Sequence, residues 1–460
     1  MTPITALLPA AALLAATAAV SPQPNSGAST APDSAAPYVV VLKDSAPRAL
    51  TRALVAEAES AGGTVGRVYE SALSGFAVRT TAARAAELAA DPRVASVEPD
   101  ALVRVSGAPA APAASGASGA QGAVVPESES PAPWQLDRLD QRGLPLDGVY
   151  SYPSTGSGVT AYVIDTGINT AHTEFGGRAV FGVNETTEPA QDLNGHGTHV
   201  AGSLGGTTYG VAKGVSLVAV KVADRRGSGS VSDIIAGIDW VITHARKARA
   251  AGGPPAVANL SMGGGYSFGM NRAVSKAVAS GITFTAAAGN DNKNACYSSP
   301  GSAPAALTVG ATDDTDRRAS YSNYGGCVDV LAPGSRVTSS WKGSPTAVQT
   351  LWGTSMAAPH VAGVAALLLA SGAAKTPAEV AAAIRAGAVA GRLTDVRAGT
   401  PNLLLQVPAA PEAVAPPAPP VASPPAPPVA SPPAPPVASP PVSPVASPPA
   451  PAVTSPVATP

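Results

Sequence analysis

The 460-residue chain has little charge, few aromatic side chains and only two cysteines. Its 29 Lys and Arg residues and 30 Asp and Glu residues give a net charge of −1, so neither a nucleic-acid surface nor an anionic-membrane surface is indicated. Cys296 and Cys327 lack the neighbouring histidines that would complete a tetrahedral zinc site. One disulfide and two buried free thiols both stay open at this point.

The N-terminus carries an uncharged apolar run, from Ile4 to Val20, that ends in small residues. It is rich in alanine and shorter than the roughly 20 residues that a membrane-spanning helix needs. Residues 1–20 therefore predict a secretory signal peptide, although the Lys or Arg that usually precedes the apolar run is missing. We accordingly expect a secreted, extracellular protein without a membrane span.

Residues 38–105 alternate between strand and helix patterns. Strand patterns occupy 38–42, two stretches between 65 and 80, and one or two stretches between 94 and 105, and Ala-rich helical patterns occupy 50–61 and 82–90. Two β-α-β units in about 70 residues predict a small α+β domain of the split, ferredoxin-like kind. Residues 106–131, which are rich in Ala, Gly, Ser and Pro, predict a flexible linker.

Residues 132–407 predict an α/β domain with a doubly wound parallel sheet. Short apolar strands alternate with helices, which is typical of a parallel sheet covered on both faces. The predicted strands are 159–164, 217–222, 256–261, 283–287, 307–310 and 328–331, and the predicted helices are 198–204, 231–250, 270–279, 355–370 and 377–386. Functional groups gather at the carboxyl ends of such strands, and Asp165 and Asn290 both follow one.

The last segment, 408–460, has a different composition, dominated by Pro, Ala, Val and Ser. The octad Pro-Pro-Ala-Pro-Pro-Val-Ala-Ser repeats from Pro416, Pro424 and Pro432, and Glu412 is the only charged residue. Such a segment predicts an extended polyproline-type spacer rather than a packed domain. A ligand for a proline-recognition module is the alternative.

Three Gly-rich segments, far apart in sequence, each present one reactive side chain. Asp165 follows an apolar strand, His196 lies in 194–202, and Ser355 lies in 353–360. A serine hydroxyl becomes nucleophilic when an imidazole takes its proton and a carboxylate fixes the tautomer of that imidazole. The three residues together predict serine-based nucleophilic catalysis.

Each segment alone has a simpler explanation. Ser355 could be an ordinary helix N-cap, and Asp165 could be a turn residue. His196 and His199 could ligate zinc, but they are three residues apart, without the four-residue spacing and intervening Glu of metalloproteases, and no third ligand follows. Asn290 could donate its side-chain amide to an oxyanion or simply belong to a Gly-Asn turn.

The segments 163–167, 195–202 and 353–363 resemble the three signature blocks of subtilisin-like serine proteases (peptidase S8). Residues 224–240, 260–265 and 320–325 resemble the proteinase K branch, and within it the aqualysin-like secreted bacterial enzymes. The resemblance covers essentially all of 134–405, and 38–105 resembles the inhibitory I9-type prodomain of that family. It implies a subtilisin-like fold for the large domain.

The resemblance implies specific roles for site residues. Asp165, His196 and Ser355 would form the triad, with the Asn290 side chain and the Ser355 backbone N–H as oxyanion donors. Substrate would lie extended and pair as an added strand, held by Gly227, Gly229, Val231, Ser261, Met262, Gly263 and Gly289. The pocket walls 261–263 and 287–289 hold no charged residue, so we expect an apolar or aromatic side chain before the scissile bond.

The resemblance also implies a disulfide and a structural cofactor, Ca²⁺. It pairs Cys296 with Cys327, while Leu193 and Arg225 replace the second disulfide of the aqualysin-like enzymes. Calcium would be held by the Pro304 and Ala306 carbonyls with the Asp329 carboxylate, and by a second set consisting of Asp137, Asp140, Gln141 and Asp147. A solvated polar turn is the alternative for the second set.

These features predict a secreted serine endopeptidase of broad specificity that acts through an acyl-enzyme on protein and peptide substrates. We expect a monomer, made as an autoprocessed zymogen whose prodomain is an intramolecular chaperone and inhibitor, cut from the linker near residues 124–133. A non-catalytic surface protein with the same fold and a general esterase are the competing hypotheses.

Overall fold

Residues 36–99 form a four-stranded antiparallel sheet with two helices on one face. The computed structural model describes residues 34–43, 47–105, 107–109 and 128–408, all within one compact unit, whereas the second unit, Glu412–Pro460, lies outside the described residues. The elements are β1 (Ala36–Leu42), α1 (Arg48–Ser60), β2 (Thr64–Tyr69), β3 (Gly75–Thr80), α2 (Ala82–Ala90) and β4 (Val94–Pro99). The strand order β2-β3-β1-β4 confirms the predicted α+β prodomain.

The rest of the chain contains eighteen further strands and six further α-helices among the described residues. The strands are β5 (Leu102–Val105), β6 (Ala108–Pro109), β7 (Ser128–Glu129), β8 (Tyr150–Ser151), β9 (Thr160–Asp165), β10 (Ala179–Asn184), β11 (Ser216–Lys221), β12 (Ser228–Ser230), β13 (Ala256–Leu260), β14 (Met262–Gly265), β15 (Ile282–Ala287), β16 (Ser298–Ser299), β17 (Leu307–Thr312), β18 (Val330–Pro333), β19 (Val337–Ser340), β20 (Val348–Trp352), β21 (Val389–Ala390) and β22 (Leu403–Leu404). The helices are α3 (Trp134–Asp140), α4 (His196–Gly205), α5 (Val231–Ala250), α6 (Phe268–Ala279), α7 (Thr354–Ala370) and α8 (Pro377–Gly387).

A nine-stranded sheet in the order β10-β11-β9-β13-β15-β17-β18-β22-β21 forms the centre of the large domain. Its ladders are parallel from β10 to β22. One apolar cluster joins one face of the sheet to α4 and α7, and another joins the opposite face to α5 and α6. The doubly wound α/β prediction is therefore confirmed, and the strand order reverses beside β9, which is where such sheets bind ligands.

The prodomain sheet uses both of its faces. Val40, Leu42, Phe76 and Val78 pack with residues of α1 and α2 in one cluster. Side chains that alternate with them, including Val39, Val41 and Ala77, belong to the apolar cluster of α5 and α6 in the large domain. The prodomain is thus docked on the two helices through the face that its own helices leave uncovered.

Two further contacts bear on how the large domain is held together. Cys296 and Cys327 form a disulfide with a Cα–Cα distance of 5.4 Å, which confirms the predicted pairing. The buried Lys213 ammonium donates to the Glu129 carboxylate at 2.6 Å and to the Thr207 carbonyl at 2.9 Å, and so fastens the short strand β7 to the loop before Lys213.

Some predictions fall outside the described part of the chain. The predicted signal peptide 1–20, most of the linker 106–131 and nearly all of the tail 408–460 lie there. Among the residues that are described, none of the helices has the length and apolar character to cross a membrane.

Candidate active site

In the folded chain, the carboxyl end of β9 lies next to the first turn of α4, and this brings Asp165 and His196 together. Asp165 is the last residue of β9 and is fully buried. His196 opens α4 after Gly195, and its Nδ1 donates to the Asp165 Oδ1 and Oδ2 atoms at 2.8 and 3.0 Å. The carboxylate therefore fixes the tautomer that has hydrogen on Nδ1, which leaves Nε2 as the base.

Ser355 lies in the first turn of α7, the helix that packs against α4. Its Oγ donates to the Ser261 carbonyl at 2.9 Å, and the Ser261 hydroxyl donates to the Ser355 carbonyl at 2.8 Å. His196 Nε2 is buried and accepts no hydrogen bond from the described residues. The Asp165–His196 pair is therefore formed, whereas the Ser355 hydroxyl is bound to the Ser261 carbonyl and not to His196.

Asp192, which was not predicted as a site residue, ties the two catalytic loops together. Its carboxylate accepts five hydrogen bonds, from Thr166 Oγ1, the Asn194 and Gly195 N–H groups, and the Thr198 N–H and hydroxyl. Thr166 follows Asp165 directly, and its hydroxyl also accepts from the Gly197 N–H at 2.9 Å. The position of Asp192, four residues before His196 in an Asn-Gly loop, is the only sequence signal for this role.

Asn290 stands beside the N-terminus of α7, as predicted for an oxyanion donor. Its Oδ1 accepts from both the N–H and the hydroxyl of Thr354 at 2.9 Å, so its Nδ2 group is directed away from Thr354. The preceding Gly289 has φ +102°, and a Cβ there would lie 2.4 Å from Asn323 Nδ2. Only glycine fits at that position without a shift of Asn323.

The cleft beside the triad is filled by the protein's own chain. β5 lies between β12 and β14 as an antiparallel strand, with Val103 opposite Gly229 and Val105 opposite Met262. The Val105 N–H donates to the Gly227 carbonyl at 2.8 Å, and the Val231 N–H donates to the Ala101 carbonyl at 3.0 Å. Of the residues predicted to hold an extended substrate, Gly227, Gly229, Val231, Met262 and Gly263 therefore pair with the end of the prodomain, whereas Ser261 and Gly289 contact other residues of the large domain.

The chain continues past the triad on the other side. Gly107 lies beside the catalytic histidine, because a Cβ built on it would be 3.7 Å from His196 Cδ2 and 3.6 Å from Met356 Sδ. β6 then pairs with β20, with Ala108 opposite Trp352. The described residues on both sides of position 106 therefore lie in the cleft near His196, well before residues 124–133, where the sequence predicts processing.

The second predicted calcium set lies on α3 and the loop after it. Asp137 accepts from Gln141 Nε2 and from the Gly148 N–H, and Asp147 accepts from the Val149 N–H. Asp140 Oδ2 accepts from the Ser151 N–H, but its Oδ1 is buried without a hydrogen-bond partner among the described residues. Burial, with added repulsion from Asp137 and Asp147, raises the pKa of Asp140 to about 6.

The first predicted calcium set does not fit a metal. Asp329 Oδ2 accepts from the Thr308 N–H at 2.8 Å, and its Oδ1 accepts from Arg385 Nη2 at 2.7 Å. A guanidinium therefore occupies the carboxylate oxygen that was expected to join the Pro304 and Ala306 carbonyls. In the described part of the chain, no three His, Cys, Asp or Glu side chains are grouped as a metal cluster would require.

Two other histidines are buried and neutral. His199 Nε2 donates to the Val337 and Gln349 carbonyls, each at 3.1 Å, and burial lowers its pKa to about 3. His360 Nδ1 donates to the Pro333 carbonyl at 3.0 Å, and burial lowers its pKa to about 4. His199 is thus a packing residue behind the loop that carries His196.

Comparison with known proteins separates the prodomain from the large domain in the same way as the fold does. Residues 156–406 match the model of the Subtilase family, Peptidase_S8, and residues 37–106 match Peptidase inhibitor I9. An extracellular serine proteinase of Thermus sp. (strain Rt41A) is 49% identical over 75% of this chain and 78% of its own. The alkaline serine exoprotease A of Vibrio alginolyticus is 46% identical over 74% of this chain and 59% of its own.

A solved structure gives the same result. The crystal structure of a cold adapted subtilisin-like serine proteinase is 48% identical, with a TM-score of 0.57, and the match covers 61% of this chain and all of that one. The matched fold, the inhibitor segment and the buried Asp-His pair all lie in one chain.

Proposed function

The chain belongs to the subtilase family of serine proteinases, and on that premise we propose that it is a secreted, self-processing endopeptidase that works through an acyl-enzyme. The I9 segment marks it as the precursor of a protease. The observation that carries the proposal is the prodomain end, β5, lying in the cleft as an extended strand between β12 and β14. That is the geometry of a bound peptide substrate.

The chemistry follows from the geometry of three residues. Ser355 Oγ turns from the Ser261 carbonyl to His196, gives its proton to Nε2 and attacks the carbonyl carbon of the scissile bond. Asp165 stabilises the imidazolium through Nδ1, and Asn290 with the Ser355 N–H stabilises the negative oxygen. The imidazolium then protonates the leaving amine, which departs. Water, deprotonated by His196, hydrolyses the remaining ester.

The first self-cleavage falls between Ser106 and Gly107. Val105 is held by the Gly227 carbonyl on one side of the triad, and Gly107 lies beside His196 on the other. The inhibitor match also ends at residue 106. This position lies inside the predicted linker and upstream of the region 124–133.

A direct test uses the full chain and its Ser355→Ala variant. We expect the wild-type chain to release a fragment ending at Ser106 and to react with a fluorophosphonate, and the variant to do neither. Casein digestion separates a protease from a pure esterase. An unlabelled and uncut wild-type protein would favour the non-catalytic binding protein instead.

The pocket prefers an apolar or aromatic side chain before the scissile bond, with a tolerance broad enough to accept the small Ser106 of the self-cleavage position. Uncharged residues line the walls 261–263 and 287–289, and the Gly301 backbone approaches the Ala288 carbonyl from the next loop. A series of peptides that differ only at this position tests the preference. A strong preference for Lys or Arg would contradict it.

Calcium binds beside Asp140. Asp140 Oδ1 is buried without a partner among the described residues, and it would bind a hard cation together with backbone carbonyls and water, because Asp137, Asp140 and Asp147 do not form a metal-binding cluster by themselves. Chelation should lower the melting temperature of the wild-type enzyme and leave that of Asp140→Asn unchanged. Equal responses of the two proteins to chelation would remove the proposal.

The mature enzyme is an extracellular monomer. The extracellular serine proteinase of Thermus, the disulfide and the predicted signal peptide support export. Mass spectrometry of the protein from culture medium tests both ends of the chain at once, and size-exclusion chromatography tests the monomer. A product found only inside cells would refute secretion.

A further inference from the structure

Outside the cleft, the prodomain residue Arg67 binds two carboxylates of the large domain. We propose that Glu185 and Asp233 form a guanidinium seat that holds the prodomain after cleavage and sets how long the enzyme stays inhibited. The inference deepens the proposed function, because it rests on self-cleavage having separated the two parts. It concerns the step that follows, the departure of the cleaved prodomain.

The seat is built from two elements of the large domain. Arg67, on β2, donates from Nη2 to Asp233 Oδ1 at 2.6 Å. The same guanidinium donates to the side-chain carboxylate and to the backbone carbonyl of Glu185. One planar group thus joins the loop after β10 to the first turn of α5.

Partial burial makes these ion pairs stronger than exposed ones. The side chains are 27% exposed for Arg67, 15% for Glu185 and 26% for Asp233. Exposed pairs contribute almost nothing, because water screens them and both side chains lose freedom. Here three acceptors surround one partly buried guanidinium. A variant that lacks either the guanidinium or one of the carboxylates therefore leaves a partly buried charge unpaired.

The other polar contacts of the prodomain are of a different kind. Glu98 accepts from the Phe268 and Gly269 N–H groups at the start of α6, and Asp100 accepts from the Ser232 N–H at the start of α5. Asp239 of α5 in turn accepts from prodomain backbone N–H groups at residues 70–72. These carboxylates accept from backbone amides, and Glu98 and Asp100 also accept from the Ser267 and Ser232 hydroxyls. Among the described ion pairs, those that join the prodomain to the large domain are the two of Arg67.

The seat adjoins the substrate cleft without being part of it. Asp233 also forms the capping box of α5 with Ser230, which is the last residue of the strand paired with β5. Cleavage after Ser106 frees the end of the inhibitory strand but leaves Arg67 in place. Retention therefore depends on contacts such as this one, which cleavage does not touch.

The chemistry of the seat favours arginine over lysine and low over high salt. A guanidinium presents several donors in a fixed plane and can bind both carboxylates at once, whereas an ammonium is a single point charge. Salt weakens partly exposed ion pairs. Arg67→Lys should therefore hold the prodomain less well, and Arg67→Gln less well again.

The experiment follows the full chain through time. Gel analysis gives the moment at which the prodomain is cut, and hydrolysis of a chromogenic peptide gives the moment at which activity appears. We expect Arg67→Gln to shorten the interval between the two by about tenfold, equivalent to a loss of about 1.4 kcal/mol of binding. Raising NaCl from about 0.1 to 1 M should shorten the wild-type interval and change the Arg67→Gln interval little.

Two further variants make the result of this experiment interpretable. Glu185→Gln removes the seat from the other side, so it answers the question even where Arg67→Gln impairs folding. Arg48→Gln is the matched control, because Arg48 pairs only with Glu70 inside the prodomain among the described ion pairs, at 3.3 Å with both side chains well exposed. It should keep the wild-type interval.

The outcomes separate the inference from the proposed function. Normal cleavage with unchanged intervals in both Arg67→Gln and Glu185→Gln would overturn the seat alone. An equal shortening in Arg48→Gln would also overturn it, because it would make the effect one of net charge. A wild-type chain that is never cut would overturn the self-processing on which the seat depends.

Discussion

In the described arrangement the Ser355 hydroxyl is bound to a backbone carbonyl and not to His196. The hydroxyl binds the Ser261 carbonyl while His196 Nε2 has no partner among the described residues. The imidazole is nevertheless already oriented, because Asp165 holds its other nitrogen at 2.8 Å. The residue that must move for catalysis is therefore the serine, through a single side-chain torsion.

Asn290 should matter to turnover more than to binding. Its amide oxygen is held by Thr354 at the start of α7, and if its Nδ2 donates to the oxyanion as proposed, Asn290→Ala should lower kcat roughly 10²–10³-fold with little change in KM. Steady-state hydrolysis of one peptide measures both constants. A variant whose loss lay wholly in KM would show that Asn290 only binds substrate.

His360 should make the fold sensitive to acid. Burial lowers its pKa to about 4, whereas the unfolded residue takes up its proton near 6.5. Between these values the unfolded chain binds more protons, so the free energy of unfolding falls as pH drops from about 6.5 to 4. His360→Gln should flatten part of the slope of melting temperature against pH over that range, whatever its stability at pH 7. An unchanged slope would show that His360 is not one of the groups responsible.

At the level of elements, the apolar strands and helices of the large domain could be predicted from sequence, and the edge strands could not. β9, β13 and β15 are continuous buried runs, so composition alone marks them. β12 is Ser-Gly-Ser and is a strand only because β5, more than a hundred residues earlier, pairs with it. No local pattern encodes a partner that far away.

The same reasoning separates the predictable part of the site from the rest. Asp165, His196 and Ser355 each sit in a Gly-rich turn at the end of a strand or the start of a helix, so motif and position agree. Asp192 and the Arg385–Asp329 pair depend on side-chain contacts between elements. Calcium at Asp329 stays a prediction, and nothing near Asp329 in sequence indicates its contact with Arg385.

The ion pair between Arg385 of α8 and Asp329, just before β18, should make a metal ion unnecessary at Asp329. Because Arg385 binds Asp329 Oδ1 at 2.7 Å, a cation and the guanidinium would compete for one oxygen. We expect Arg385→Gln to bind one more Ca²⁺ per chain than the wild type and to gain a larger rise in melting temperature with calcium. The double variant Arg385→Gln with Asp329→Asn should return to the wild-type count. A wild-type enzyme that loses one bound ion on Asp329→Asn would contradict the prediction.

At the scale of the whole molecule, the disulfide is the single link that most restricts the conformations of the unfolded chain. It closes a loop across a sequence separation of 31 residues, which in the chain-entropy model stabilises by roughly 3–4 kcal/mol. Cys296→Ser with Cys327→Ser should therefore lower the melting temperature by roughly 10 °C. The reduced wild-type enzyme is the matched comparison and should melt with the double variant. A drop of only one or two degrees would mean that native packing, not the cross-link, holds this region.

The Lys213–Glu129 contact sets a limit on how the mature chain can begin. Once the chain is cut after Ser106, other proteases can shorten the new N-terminus one residue at a time. Shortening past Glu129 would leave the buried Lys213 ammonium without its carboxylate, a loss of about 3–5 kcal/mol. Mature enzyme molecules should therefore begin at several positions upstream of Ser128 and share the same melting temperature. No stable molecules should begin beyond Glu129. The Lys213–Glu129 ion pair therefore determines how far the N-terminus can be shortened before the enzyme loses stability.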